Sequence, residues 1–153
     1  MIQSRRDVMR ITAVLGAAFA AGVLSPKEVF AAEWSQKVFD AKSLADAVKA
    51  LGGDKFEVSP DVSITGPDIA ENGAVVPVSI SSKAAGPDFM AILVDKNPSA
   101  MSASFNIPVG TEAAVTTRVK MGATSNVHAL ARANGKWLVA SKEIKVTLGG
   151  CGG

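Results

Sequence analysis

Cysteine occurs once in the 153 residues, as Cys151, and histidine once, as His128. A single thiol excludes an internal disulfide and every CxxC-type metal or redox pair. A lone histidine with no carboxylate pattern or second ligand near it reads as an ordinary surface or core residue. Ser125 and Asp95 give it no recognisable nucleophile context, so a hydrolytic triad is not supported. Internal repeats, low-complexity tracts and, beyond residue 31, charge runs longer than two are also absent. What is present, 48% hydrophobic and 20% charged residues, describes a globular chain of one ordinary domain.

The formal charge of +2 comes from 16 basic and 14 acidic residues, and its position matters more than its size. Arg5 and Arg6 precede an apolar run from Ile11 to Leu24, a pattern that resembles a bacterial twin-arginine export signal. The run is 14 residues, about 21 Å as a helix against a hydrocarbon core of about 30 Å. It is too short to span comfortably. Val29-Phe30-Ala31 supplies the small residues a signal peptidase needs, which places cleavage after Ala31. Arg5, Arg6, Arg10 and Lys27 leave with that leader, as do Asp7 and Glu28, so a mature chain of 122 residues keeps 12 basic and 12 acidic ones. A nucleic-acid partner loses its support, because no basic stripe with interleaved aromatics remains. No membrane role remains after cleavage, and the location expected is the periplasm. The twin-arginine route exports folded proteins, which implies that a partner subunit is acquired before export.

Residues 37–51 place Val38, Leu44, Ala45, Val48 and Leu51 at helical spacing, with Gly52-Gly53 as a stop, and predict one short amphipathic helix. Beyond Gly53 come short runs rich in Val, Ile, Thr and Ser, punctuated by Gly, Pro, Asn and Asp every ~8–12 residues. Strands are expected over 62–66, 75–81, 89–95, 102–109, 114–121, 126–133, 136–140 and 143–148. Asn72-Gly73 and Asn134-Gly135 both supply residues that tolerate positive φ, and the second is a two-residue hairpin turn. The class is all-β, an immunoglobulin-like antiparallel β-sandwich with a short N-terminal helix; a barrel is the alternative. Trp34 and Trp137 read as packing residues.

The chain ends in Leu148-Gly149-Gly150-Cys151-Gly152-Gly153. Glycine loses the most conformational entropy on ordering, so residues 149–153 are expected to form a flexible arm beyond a carrier domain spanning 32–148. Three residues carry the Cys151 Cα about 10 Å past Leu148. Gly149, Gly150, Gly152 and Gly153 remove the side-chain bulk that would bar a thiol from a narrow pocket. An exposed thiol near pKa ~8.5 is a few per cent thiolate at neutral pH and is strongly nucleophilic. These features fit a swinging carrier of a covalently attached group.

The terminal segment Val146-Thr147-Leu148-Gly149-Gly150-Cys151-Gly152-Gly153 resembles the signature of the SoxY family, sulfur carriers of the periplasmic thiosulfate-oxidising Sox system. The resemblance extends through residues 68–78, 96–98 and 140–145 and the twin-arginine leader. It implies a sandwich paired with a SoxZ-like β-sandwich subunit in a heterodimer, with sulfur intermediates carried on Cys151. It also implies a c-type haem enzyme that couples thiosulfate to the thiol, a manganese-dependent hydrolase that releases sulfate and, in some organisms, a molybdenum sulfane dehydrogenase. The carrier itself is then not an enzyme and holds no cofactor or metal.

A different class of function is a soft-metal, copper-binding protein using Cys151, His128 and some of Met90, Met101 and Met121, which requires those ligands to converge. A ubiquitin-like carrier with a terminal thiocarboxylate would need ATP, lacks its central helix here and leaves Cys151 unexplained. CGG is one residue short of a prenylation box. Lys142 and Lys145, at the base of the arm, read as solvated strand residues, with attraction of anionic sulfur species as the alternative.

Overall fold

Asn134 and Gly135 both adopt positive φ, at 50° and 75°, the requirement of the tight turn whose twist matches paired strands. That turn joins the two longest strands among the described residues. The computed structural model describes residues 36–147; the leader expected over 1–31, Trp34 and the arm at 149–153 lie outside them. In chain order the elements are α1 (Gln36–Phe39), α2 (Leu44–Ala50), β1 (Glu57–Val58), β2 (Val62–Thr65), β3 (Ile69–Ala70), β4 (Val76–Ser82), β5 (Pro87–Val94), β6 (Met101–Asn106), β7 (Ala114–Val119), β8 (Ser125–Ala133) and β9 (Lys136–Val146). One sheet runs β1-β9-β8-β5-β6, with β3 also on β9, and the other runs β2-β4-β7. This is the all-β, two-sheet architecture that the strand rhythm predicts.

The alternation in β4 explains how the sheets meet. Val76, Val78 and Ile80 are buried while Pro77 is exposed, and the inward set packs with Met90, Ile92, Val127, Ala129 and Ile144 of the large sheet. The large sheet is covered on its other face as well. Val38, Leu44, Ala47 and Val48 of the helical segment lie against Ala91, Leu93, Leu130, Trp137 and Val139. A strand buried on both faces should read as a continuous apolar run, and β5 does so from Phe89 to Val94, all buried. Each large aliphatic side chain taken from water in this way contributes about 1.5–3 kcal/mol.

Four expectations need correction. The single helix over 37–51 is two short helices, because the Ser43 hydroxyl accepts a hydrogen bond from Asp46 N at 3.1 Å and starts α2 as its N-cap. Serine favours that position over a helix interior. Ala45 is consequently exposed. The runs 136–140 and 143–148 are one strand to Val146, since Ser141 and Lys142 continue the ladder opposite His128 and Val127. Asn72-Gly73 has no positive φ; the Asn72 side chain instead accepts from Ala74 N at 2.9 Å. The sandwich is not wholly antiparallel either: β1 and β3 pair parallel with the outer edge of β9. Two-residue strands carry little hydrophobic signal, and here they cap an otherwise open edge.

Trp137 is a packing residue, as expected. It meets Phe89 edge-on with ring centroids 5.8 Å apart, and the Arg132 guanidinium lies 5.3 Å from its ring. Arg132 Nε also donates to Asp88 Oδ1 at 2.9 Å.

Candidate functional site: the root of the C-terminal segment

β9 carries the chain to its last described residue, Thr147, four positions before Cys151. The site residues expected from sequence, Cys151, Gly149, Gly150, Gly152 and Gly153, lie outside the described residues. Their point of departure is built in detail. Lys145 N donates to Asp68 O at 3.0 Å and Thr147 N to Ala70 O at 3.1 Å, so residues 68–70 grip the end of β9 and the residue after it. On the other side Val146 N donates to Thr124 Oγ1 at 2.9 Å. Asp68 adds a side-chain tie, its Oδ1 lying 2.8 Å from Lys142 Nζ.

Gly73 closes this collar. Its carbonyl accepts from Met121 N at 2.7 Å, and a Cβ at position 73 would stand 2.4 Å from Met121 O and 2.8 Å from Val146 Cγ1. Glycine is there for close backbone approach, not for its dihedral freedom. The adjoining loop is braced by Asn97, whose amide donates to Lys120 O at 2.7 Å and accepts from Gly122 N at 3.1 Å. The segments 68–78, 96–98 and 140–145 thus gather at one end of the sandwich, around the exit of the chain. Sequence reasoning singled out those segments but not what they do; Thr124 escaped notice because its partner is 22 positions away.

Lys142, read from sequence as a solvated residue, is held by Asp68. The lysine hydrogen bond, and then its charge, keep the Asp68 carboxyl below its ordinary value. The Arg132 hydrogen bond does the same for Asp88. A carboxylate with a depressed native pKa stabilises the fold above its unfolded pKa, and that contribution is lost as pH falls through the native value. The melting temperature should therefore decline as pH drops below about 4, and Asp88→Asn should flatten the decline. A thermal-denaturation series from pH 5 to pH 2 checks this; equal slopes for variant and parent would refute it.

His128 has partners that sequence did not reveal. It is buried, with Nε2 2.9 Å from Asp95 Oδ1 and Nδ1 2.6 Å from Ser141 Oγ. Ser141 faces it directly across the β8–β9 ladder, and Asp95 follows the end of β5. In a hydrolytic triad the imidazole presents Nε2 to serine and Nδ1 to the carboxylate. The ring here is turned the other way, and the cluster reads as a cross-strand tie. The soft-ligand set does not converge: Met90 and Met121 lie between the sheets, whereas Met101 lies under the helices. Among the described residues no group of three or more His, Cys, Asp or Glu side chains could hold a metal ion.

The fold and site define a small two-sheet β-sandwich whose last strand is locked at its end and hands on a cysteine-bearing tail. A family model described as sulfur oxidation protein SoxY matches residues 47–151, a span that includes Gly149, Gly150 and Cys151. The solved structure of the sulfur carrier protein SoxY from Chlorobium limicola f thiosulfatophilum is 36% identical, with a TM-score of 0.63 over 69% of this chain and 96% of that one. A superoxide reductase (neelaredoxin) from Ignicoccus hospitalis aligns at 19% identity and a TM-score of 0.49, over 56% of this chain and 80% of that one. No curated protein matches. The chain belongs to the SoxY family of sulfur oxidation proteins.

Proposed function

We propose that this protein is a covalent carrier of sulfur intermediates in thiosulfate and sulfide oxidation, with Cys151 as the attachment point and residues 149–153 as the carrier arm. The observation that carries this reading is the family match running through Cys151, on a chain whose described part ends in a tightly held strand. A rigid root with a slim glycine-flanked thiol beyond it can enter several active sites in turn. The thiol and thiosulfate together lose one proton and two electrons to form R–S–S–SO3⁻, and a c-type haem enzyme takes the electrons. Water then attacks the terminal sulfonate on a manganese-dependent hydrolase, releasing sulfate and two protons and leaving R–S–S⁻. A molybdenum sulfane dehydrogenase is the third candidate partner.

In this reading the protein is not itself an enzyme. A SoxZ-like β-sandwich subunit completes the carrier as a heterodimer. The location is the periplasm, reached in folded form by the twin-arginine route with cleavage after Ala31. Among the described residues no helix is long and apolar enough to cross a membrane.

Mass spectrometry of the protein purified from thiosulfate-grown cells tests the proposal. Sulfane, sulfonate and thiosulfonate adducts should map to the C-terminal peptide. An unmodified peptide under turnover would refute covalent carriage.

A further inference from the structure

The ladder between β8 and β9 ends at Ser125 opposite Ile144, yet β9 runs on to Val146 and the chain is held to Thr147. Ile144 is fully buried, whereas Lys145 and Thr147 are exposed and Val146 is half-buried. Hydrogen bonds rather than burial therefore keep residues 145–147 in place. Lys145 N and Thr147 N turn to residues 68–70, and Val146 N turns the opposite way, to Thr124 Oγ1 at 2.9 Å. Thr124 immediately precedes β8. Its side chain stands in for the backbone partner that β8 no longer supplies.

Threonine suits that task, because its branched Cβ stiffens χ1 and presents the hydroxyl in a restricted direction. The surrounding chain is pinned on both sides of it by one segment. Asn97 holds Lys120 O and Gly122 N, and Lys96 N donates to Ser125 Oγ at 3.1 Å. Without the hydroxyl, residues 145–147 would keep only the two-residue parallel pairing with β3. Parallel pairing is the weaker kind per residue, and an isolated strand pair is marginal in water. Segments with few buried apolar contacts open first, so the chain would come free back to Ile144, where burial stops it.

Resting on the carrier reading above, we infer that Thr124 is the positioning residue of the carrier arm: its hydroxyl fixes the pivot at Thr147 and so sets the radius and direction through which Cys151 swings. From Thr147 the four residues to Cys151 reach about 13 Å, and from Ile144 the seven residues reach about 23 Å. The longer tether would dilute the thiol at the end of the sandwich roughly twofold, since effective concentration falls with tether length. It would also let the thiol turn back along the sheets, away from a partner docked at that end.

The test uses the ¹⁵N-labelled mature protein in its native complex, with a nitroxide placed on Cys151, its one thiol, before assembly. In the parent, paramagnetic broadening should stay on the amides of residues 68–74 and 120–124. In Thr124→Val, which keeps the shape and loses the hydroxyl, broadening at Ser79 and Ala140, near the middle of β4 and β9, should rise at least threefold. Hydrogen exchange at Lys145, Val146 and Thr147 should quicken together, at least tenfold, while the central strand β8 is unchanged. Thr124→Ser returns the hydroxyl and should restore both patterns. Identical broadening in parent and valine variant, failure of serine to restore it, or faster exchange at Val146 alone would each overturn the inference. Carriage is tested separately on unlabelled protein. Tetrathionate should load Cys151 equally in parent and Thr124→Val, the thiolate displacing thiosulfate to leave R–S–S–SO3⁻, with the mass spectrum as readout. A thiol that fails to load refutes the carrier reading, whereas full loading with an unmoved pivot refutes the role of Thr124 alone.

Discussion

Cys151→Ser is expected to abolish thiosulfate-dependent electron transfer in a reconstituted system, a loss of roughly 10³-fold or more. The proposed first step forms a sulfur–sulfur bond by two-electron oxidation. A serine hydroxyl has no comparable reaction: it is far less acidic than a thiol and cannot give a disulfide-type product. Because every later intermediate hangs on that bond, the loss is not partial. The fold should not register the change, since serine replaces cysteine with an oxygen in place of the sulfur and no other alteration. Unaltered melting with abolished turnover is therefore the expected pair of results. Turnover within tenfold of the parent would remove the thiol from the mechanism.

What could be read from sequence followed from local chemistry. The Asn134-Gly135 turn was legible because only a two-residue turn with positive φ joins adjacent antiparallel strands so tightly, and both residues adopt it. The buried set of β4 was legible from alternation, since burial on one face imposes a period of two. The failures share another cause. β1 and β3 are two residues each, too short for any period, and they exist because β9 offers an edge to cover. Ser141 and Lys142 looked like a break between strands, yet one meets His128 and the other Asp68 across the fold. Gly73 looked like a turn residue, and only the approach of Met121 shows otherwise. At the site the same division holds. The thiol and its glycines stood out as a local motif, whereas the collar of Asp68, Ala70, Thr124 and Gly73 is made wholly of contacts distant in sequence.

That collar sets the second large effect, on stability. Gly73→Ala would place a methyl group 2.4 Å from Met121 O, a backbone atom, and 2.8 Å from Val146 Cγ1. Real Cβ contacts do not occur at such distances. The valine can turn away, but the carbonyl belongs to the residue whose N–H binds Gly73 O at 2.7 Å, so relieving the clash stretches that hydrogen bond. Overpacking of this kind costs about 1–3 kcal/mol, and loss of a buried hydrogen bond about 1 kcal/mol more. The melting temperature should fall by on the order of 10 °C. Gly110→Ala is the control: its φ is +84°, and an added Cβ there meets nothing within 4 Å, so it bears only the dihedral cost, about 1 kcal/mol. If the two variants melted together, close approach at Gly73 would not be what holds the collar. Displacing residues 68–74 also withdraws the acceptors of Lys145 N and Thr147 N and the carboxylate facing Lys142. Amide hydrogen exchange at those two positions should then quicken well beyond that of the β8–β9 centre, while tetrathionate still loads Cys151 fully. Loosening of the root with the thiol still reactive would separate the strand that presents the cysteine from the chemistry proposed for it.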